Sequence, residues 1–122
     1  MTAQRHGRIV NIASIMGEVA LPPRASYCAS KGGIIALTKE LAMEWARYGI
    51  TVNSISPGWI MTELTEQLFS QEEMRKFFLE RIPLNQFGQP RDVANLGVFL
   101  ASDLSTYITG QNIFVDGGWT AQ

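Results

Sequence analysis

Short runs of β-branched residues alternate along this chain with longer stretches whose apolar positions recur every three or four residues. An unbroken or alternating apolar run marks a strand, and a period near 3.6 marks a helix. The first run, Arg8-Ile9-Val10-Asn11-Ile12-Ala13-Ser14, follows Gly7 and reads as a buried strand. Gly17 and Pro22-Pro23 mark the loop after it. A helix is predicted from about Ser26 to Tyr48, with Ile34, Leu37, Leu41, Trp45 and Tyr48 on one face. Lys39, Glu40, Glu44 and Arg47 fall largely on the other side, and Gly49 stands where a helix-ending glycine belongs. The second strand runs from Ile50 to Ile55 and is stopped by Pro57-Gly58.

From Trp59 to Leu84 the pattern predicts two short helical pieces. Ser70-Gln71-Glu72-Glu73 has the form of a capping box, with Ser70 capping and Glu73 reaching back. Met61, Leu64, Leu68, Phe69, Met74, Phe77, Phe78 and Leu79 crowd this stretch, which suits either a mobile lid or a plain core helix. Pro83, Gly88 and Pro90 break the chain, and a further helix starts near Pro90 and ends near Ser102. Asp92 in its first turn suits the helix dipole. The last strand is Gln111 to Asp116, followed by Gly117-Gly118. Strands joined by helix-length crossovers pair in parallel, so the fold class is α/β. Three strands are few for a doubly wound sheet, and the pattern is that of part of a larger one.

Composition narrows the functional classes. The 122 residues suit one domain, with no repeat, low-complexity tract or linker dividing them. Hydrophobic residues make up 46%, enough for a packed core, which argues against long disorder. A net charge of -1 provides no field for nucleic acid or an anionic membrane. One cysteine excludes an internal disulfide and a cysteine-based zinc site. No apolar run approaches the roughly 20 residues of a membrane span. The default expectation is a soluble protein of a reducing compartment, the cytoplasm.

Tyr27 and Lys31 stand four apart at the start of a helix and share a face. A phenol ordinarily titrates near pH 10, and a neighbouring ammonium favours its charged form, which suits acid–base work. The same spacing also describes an ordinary solvated pair. Ser14 ends a strand, and ligand sites in open α/β sheets lie beyond the carboxyl ends of strands. A hydroxyl there and a phenol from the next helix can both grip one substrate oxygen; a serine closing a loop is the plainer alternative. A serine hydrolase does not fit, because Ser14 lacks the G-x-S-x-G elbow and the single histidine, His6, precedes the strand. Cys28 has no histidine base and reads as a packing residue. Gly32 and Gly33 inside the helix suggest a close approach by another helix or a ligand, or simple tolerance. Pro57-Gly58 ends the second strand at the same sheet edge as Ser14, where exposed backbone groups suit an amide-bearing ligand or merely a turn.

Taken in order, Gly7-Arg8-Ile9-Val10-Asn11-Ile12-Ala13-Ser14, Tyr27-Cys28-Ala29-Ser30-Lys31, Val52-Asn53-Ser54-Ile55-Ser56-Pro57-Gly58, Tyr107-Ile108-Thr109-Gly110-Gln111 and Asp116-Gly117-Gly118 resemble the short-chain dehydrogenase/reductase family over nearly the whole chain. The resemblance implies the C-terminal portion of a Rossmann-like, doubly wound parallel sheet. It also implies a cofactor, NAD or NADP, and a small-molecule substrate, a secondary alcohol or its ketone. By resemblance Ser14 orients the substrate oxygen, Tyr27 moves the proton, and Lys31 binds the nicotinamide ribose and assists the tyrosine. Pro57, Gly58, Ile60 and Thr62 would meet the nicotinamide amide, and Thr62 to about Phe87 would form a substrate lid. The stretch Glu44 to Asn53 is similar to members acting on sugar acids and polyols, such as gluconate 5-dehydrogenases; 3-oxoacyl-carrier-protein reductases also remain open. The family's glycine-rich T-G-x-x-x-G-x-G turn, its N-N-A-G segment and its relay asparagine are not among these residues. The expectation is therefore a truncated catalytic and substrate half, forming a homo-oligomer, dimer or tetramer, through the long helix and the last helix and strand. The alternative is a non-catalytic assembly module.

Overall fold

The computed structural model describes residues 1–122. Three strands, β1 (Gly7–Ile12), β2 (Ile50–Pro57) and β3 (Asn112–Val115), form a parallel sheet in the order β1-β2-β3. Gly7 lies opposite Ile50 and Ile12 opposite Ile55; Ser54 lies opposite Asn112 and Pro57 opposite Val115. The crossover from β1 to β2 is α1 (Ala25–Trp45), and that from β2 to β3 holds α2 (Glu63–Phe69), α3 (Glu72–Leu79) and α4 (Pro90–Ala101). The fold is α/β, as the alternation of runs implies. No helix is long and apolar enough to cross a membrane.

Alternation along a strand sends successive side chains to opposite faces. Asn11 therefore faces α1, where its amide donates to the Thr38 hydroxyl at 2.9 Å. Arg8 faces the other way and meets the end of α4, donating to the Ser102 carbonyl and pairing with Asp103 at 3.3 Å. Helices thus cover both faces. Ala42 packs with Ile50 and Val52 on the α1 side, while Phe69, Phe78, Ile82 and Phe87 build a second core under α2 and α3. Central β2 is covered on both sides, and the side chains of Asn53, Ser54 and Ser56 are hydrogen-bonded inside, whereas the buried Thr51 hydroxyl has no partner. The Ser54 and Ser56 hydroxyls both donate to the Asn112 side-chain carbonyl, and the Asn53 amide donates to the Ile108 carbonyl.

Three boundaries differ from the expectations. β1 ends at Ile12, two residues short of Ser14, because Ser14 turns out of the sheet to cap the short 3-10 turn Ile15–Gly17. The long helix buries Ile35, Thr38 and Ala42, not the periodic stripe. Ile34, Leu41, Trp45 and Tyr48 lie half-buried on its flank, and Leu37 is 51% exposed. Small residues face the sheet because they let the helix approach it closely. The capping box is not at Ser70, whose hydroxyl donates to the Gln67 carbonyl; Gln71 is the N-cap of α3. Capping boxes stand instead at Thr62 with Thr65 and at Gln89 with Asp92. As expected, Gly49 ends the long helical segment, with a φ of 70°. Gly32 lies 3.3 Å, measured from a would-be Cβ, from the Gly17 carbonyl, a close approach by the turn after β1; Gly33 faces open space.

Candidate active site

The carboxyl ends of β1 and β2 and the first turns of α1 and α2 surround one groove of about 520 Å3. Ser14, Tyr27, Lys31, Pro57, Gly58, Ile60 and Thr62 all line it. Residues 45 or more positions apart in sequence meet there because every strand of a parallel sheet ends at the same edge.

Each side chain is held by a local cause. Ser14 is 7% exposed, and its Oγ accepts the Met16 N–H at 3.1 Å. A hydroxyl has one hydrogen and two lone pairs, so the cap fixes the oxygen and leaves its hydrogen to donate into the groove. Lys31 sits one helical turn after Tyr27, its Nζ 5.7 Å from the centre of the tyrosine ring. The same ammonium donates to the Ile12 carbonyl at 3.0 Å, the last residue of β1, so strand end and helix are tied through a cation. Tyr27 itself is half-exposed, with its ring available to a ligand.

The turn after β2 is built to bring its backbone close. Gly58 donates to the Val115 carbonyl, and a Cβ at that position would stand 2.7 Å from the Asp116 Cβ, which only glycine avoids. Ile60 forms an isolated bridge with Gly88: Gly88 donates to the Trp59 carbonyl and Met61 donates to the Gly88 carbonyl. The Ile60 carbonyl accepts from the Thr65 hydroxyl at 2.7 Å. Its N–H donates to nothing within the chain. Thr62 is different, because its N–H and hydroxyl are both engaged with Thr65 in capping α2. The structure thus offers the Ile60 amide, and not that of Thr62, as the donor for an amide-bearing ligand.

The sequence reading did not find Thr65, nor Leu64, Pro90 and Val93, which also line the groove. Leu64 is 92% exposed beside the catalytic candidates. The sequence placed it in a stretch that suits a mobile lid or a core helix, and by resemblance in the substrate lid, without singling out this position. Cys28 is a free thiol outside this groove, lining a separate hollow with Pro22 and Pro23. No group of three or more His, Cys, Asp or Glu is placed to hold a metal ion.

A family model described as enoyl-(acyl carrier protein) reductase matches residues 1–120. The chain belongs to the short-chain dehydrogenase/reductase family. Among its relatives, the 3-oxoacyl-(acyl-carrier-protein) reductase FabG of Rickettsia felis is 50% identical over 118 residues, 97% of this chain and 48% of that protein. Among solved structures, a putative gluconate dehydrogenase from Agrobacterium tumefaciens superposes with a TM-score of 0.97 at 38% identity, over all of this chain and 48% of the other. A gluconate 5-dehydrogenase from Burkholderia cenocepacia, in complex with NADP and tartrate, gives a TM-score of 0.95 at 40% identity, over 99% of this chain and 48% of the other. The chain spans about half the length of the family members it matches.

Proposed function

We propose that residues 1–122 form the catalytic and substrate-binding unit of a nicotinamide-dependent oxidoreductase that interconverts a secondary alcohol and its ketone. The observation that carries this reading is the convergence of Ser14, Tyr27 and Lys31 with the Ile60 amide on one groove. The residues suit the cofactor: an unpartnered N–H at Ile60 fits the carboxamide oxygen of a nicotinamide, and the Lys31 ammonium fits a ribose hydroxyl. When bound, NAD or NADP supplies or accepts the hydride. The protein handles the proton and the oxygen. The Ser14 hydroxyl, fixed by its cap, donates to the substrate oxygen. The Tyr27 phenol gives that oxygen a proton in reduction and takes it back in oxidation. Lys31 holds positive charge beside the ring, which stabilises the phenolate left after proton transfer.

A sugar acid or polyol is the substrate class this reading favours. The similarity to gluconate dehydrogenases at TM-scores of 0.95 and above supports it. The groove is open enough for a multiply hydroxylated chain, and Leu64 forms an apolar wall. Titration of the chain with NADPH, followed by backbone amide shifts, tests the cofactor assignment. Ile60 and Lys31 should move in a saturable way. Saturation elsewhere, or no response at millimolar nucleotide, overturns it. Turnover of gluconate with NADP, against turnover of a 3-oxoacyl thioester with NADPH, decides the substrate. The half-exposed flank of α1 around Leu37 further supports self-association into a homo-oligomer.

A further inference from the structure

We infer that Trp119 is a positioning residue, the bolt through which the C-terminal turn holds both the helical lid and the Gly58–Ile60 turn in place. The inference rests on the reading of Ile60 as a nicotinamide contact, because that is the amide whose placement it explains. Past the end of β3, the Asp116 carboxylate gathers the Gly118 N–H and the Thr120 N–H at 2.9 Å each and the Thr120 hydroxyl at 2.6 Å. The chain turns through Gly117 and Gly118 at φ values of 66° and 91°, which favour glycine. This turn places the Trp119 ring 5.3 Å from that of Trp59, at 68°, and 6.3 Å from that of Phe78. Trp59 stands between Gly58 and Ile60, and its own ring lies 4.1 Å from that of Phe78 on α3.

The backbone repeats the link. The Gly117 carbonyl accepts the Leu84 N–H at 3.1 Å, and the Gln122 amide donates to the Arg81 carbonyl at 2.6 Å. Gly58 meanwhile lies directly against Asp116. The C-terminal segment Asp116–Gln122 thus touches the base of the lid, the lid's own core and the turn that presents the Ile60 amide. Trp119 touches none of the proton-handling groups, so its effect on the chemistry passes through Trp59.

Amide hydrogen exchange on the 122-residue chain tests this with three variants. In Trp119→Ala the amides of α2 and α3 and the hydrogen-bonded amides of Met61 and Gly88 beside Ile60 should exchange about tenfold faster, while those of β1, β2 and α1 keep their rates. Trp119→Phe should restore the pattern, and Thr120→Val, which removes one hydrogen bond of this segment without opening a cavity, should give a weaker version of it. Should the alanine variant fail to fold, the phenylalanine and Thr120 variants decide. Unchanged lid amides, or equal acceleration in β2, would overturn the inference. NADPH affinity should fall about fivefold in Trp119→Ala and recover in Trp119→Phe. If the unaltered chain binds no NADPH, the cofactor assignment fails, and the exchange pattern still decides the role of Trp119.

Discussion

Tyr27, Ser14 and Lys31 show what a single side chain contributes once its neighbours fix it. Ser14 owes its position to a backbone cap, and Lys31 owes its position to a strand-end carbonyl, so each is placed before any ligand arrives. Replacing Tyr27 by phenylalanine removes only the proton donor. Turnover should drop by about 10²–10⁴-fold with an unchanged circular dichroism spectrum, the range for losing a general acid–base group. Gly58 tests the opposite limit, a site residue whose importance is steric. Gly58→Ala drives a methyl into Asp116, and overpacking of this kind costs about 1–3 kcal/mol, which urea denaturation will measure. Asp116 also sets an acid limb. Burial pushes its carboxyl up, but hydrogen bonds from Thr120 and Gly118 outweigh this and hold it below the ordinary carboxylate range. A depressed folded-state value means the group stabilises the fold above its unfolded titration near pH 4, and that contribution fades as pH falls through the folded value. Thr120→Val should therefore flatten the acid limb of a stability-against-pH curve, with little change in its slope above pH 6.

Among the elements, α1 and the α2–α3 pair fared differently in the sequence. The strands, the long helix and the helix after Pro90 were legible because period and punctuation agree there: β-branched runs, a 3.6-residue period, Gly49 and Pro90 in their expected places. What misled was size. Large apolar residues at helical spacing drew attention to Ile34, Leu37 and Leu41, while the fully buried residues facing the sheet are Ile35, Thr38 and Ala42, with Leu41, Trp45 and Tyr48 packed along their edge. Two of the three buried residues are too small or too polar to register as core. The polar interior of β2 was equally hidden, since Asn53, Ser54 and Ser56 look like surface until Asn112 and Ile108 are brought opposite them. Ser70 failed as a cap because it closes α2 as its C-terminal cap, which leaves Gln71 at the N-cap of α3. The groove was legible through its ordered motifs, whereas the Ile60 amide became the free donor only by comparison with the engaged Thr62. The separate aromatic core of α2 and α3 makes a graded forecast. Phe78→Ala, which empties a site against Trp59, Phe69 and Phe77, should cost about 3–5 kcal/mol by thermal or urea unfolding. Leu64→Ser, at an exposed groove position, should stay within about 0.5 kcal/mol of the parent.

Across the whole molecule, the flank of α1 decides between a lone chain and an assembly. Ile34, Leu41, Trp45 and Tyr48 are only half-buried and Leu37 is 51% exposed, so the stripe that helical periodicity picked out has no complete cover within the chain. Burying such surface gains about 25 cal/mol for each Å2 of apolar area, and a helix flank of five large residues offers a self-complementary patch when two copies meet across a two-fold axis. The near-neutral net charge of -1 offers little repulsion to oppose it. The expected outcome in size-exclusion chromatography with light scattering is a dimer or tetramer. Leu37→Glu, which sets a charge at the middle of the stripe and faces no partner inside the chain, should shift the mass to that of the monomer while leaving the fold intact by circular dichroism. A monomeric parent at about 100 µM, well above the micromolar range of ordinary association, would place the interface elsewhere or remove it. An unchanged mass in Leu37→Glu would instead move the contact off α1, to the exposed residues Val98, Leu104 and Tyr107 around the end of α4.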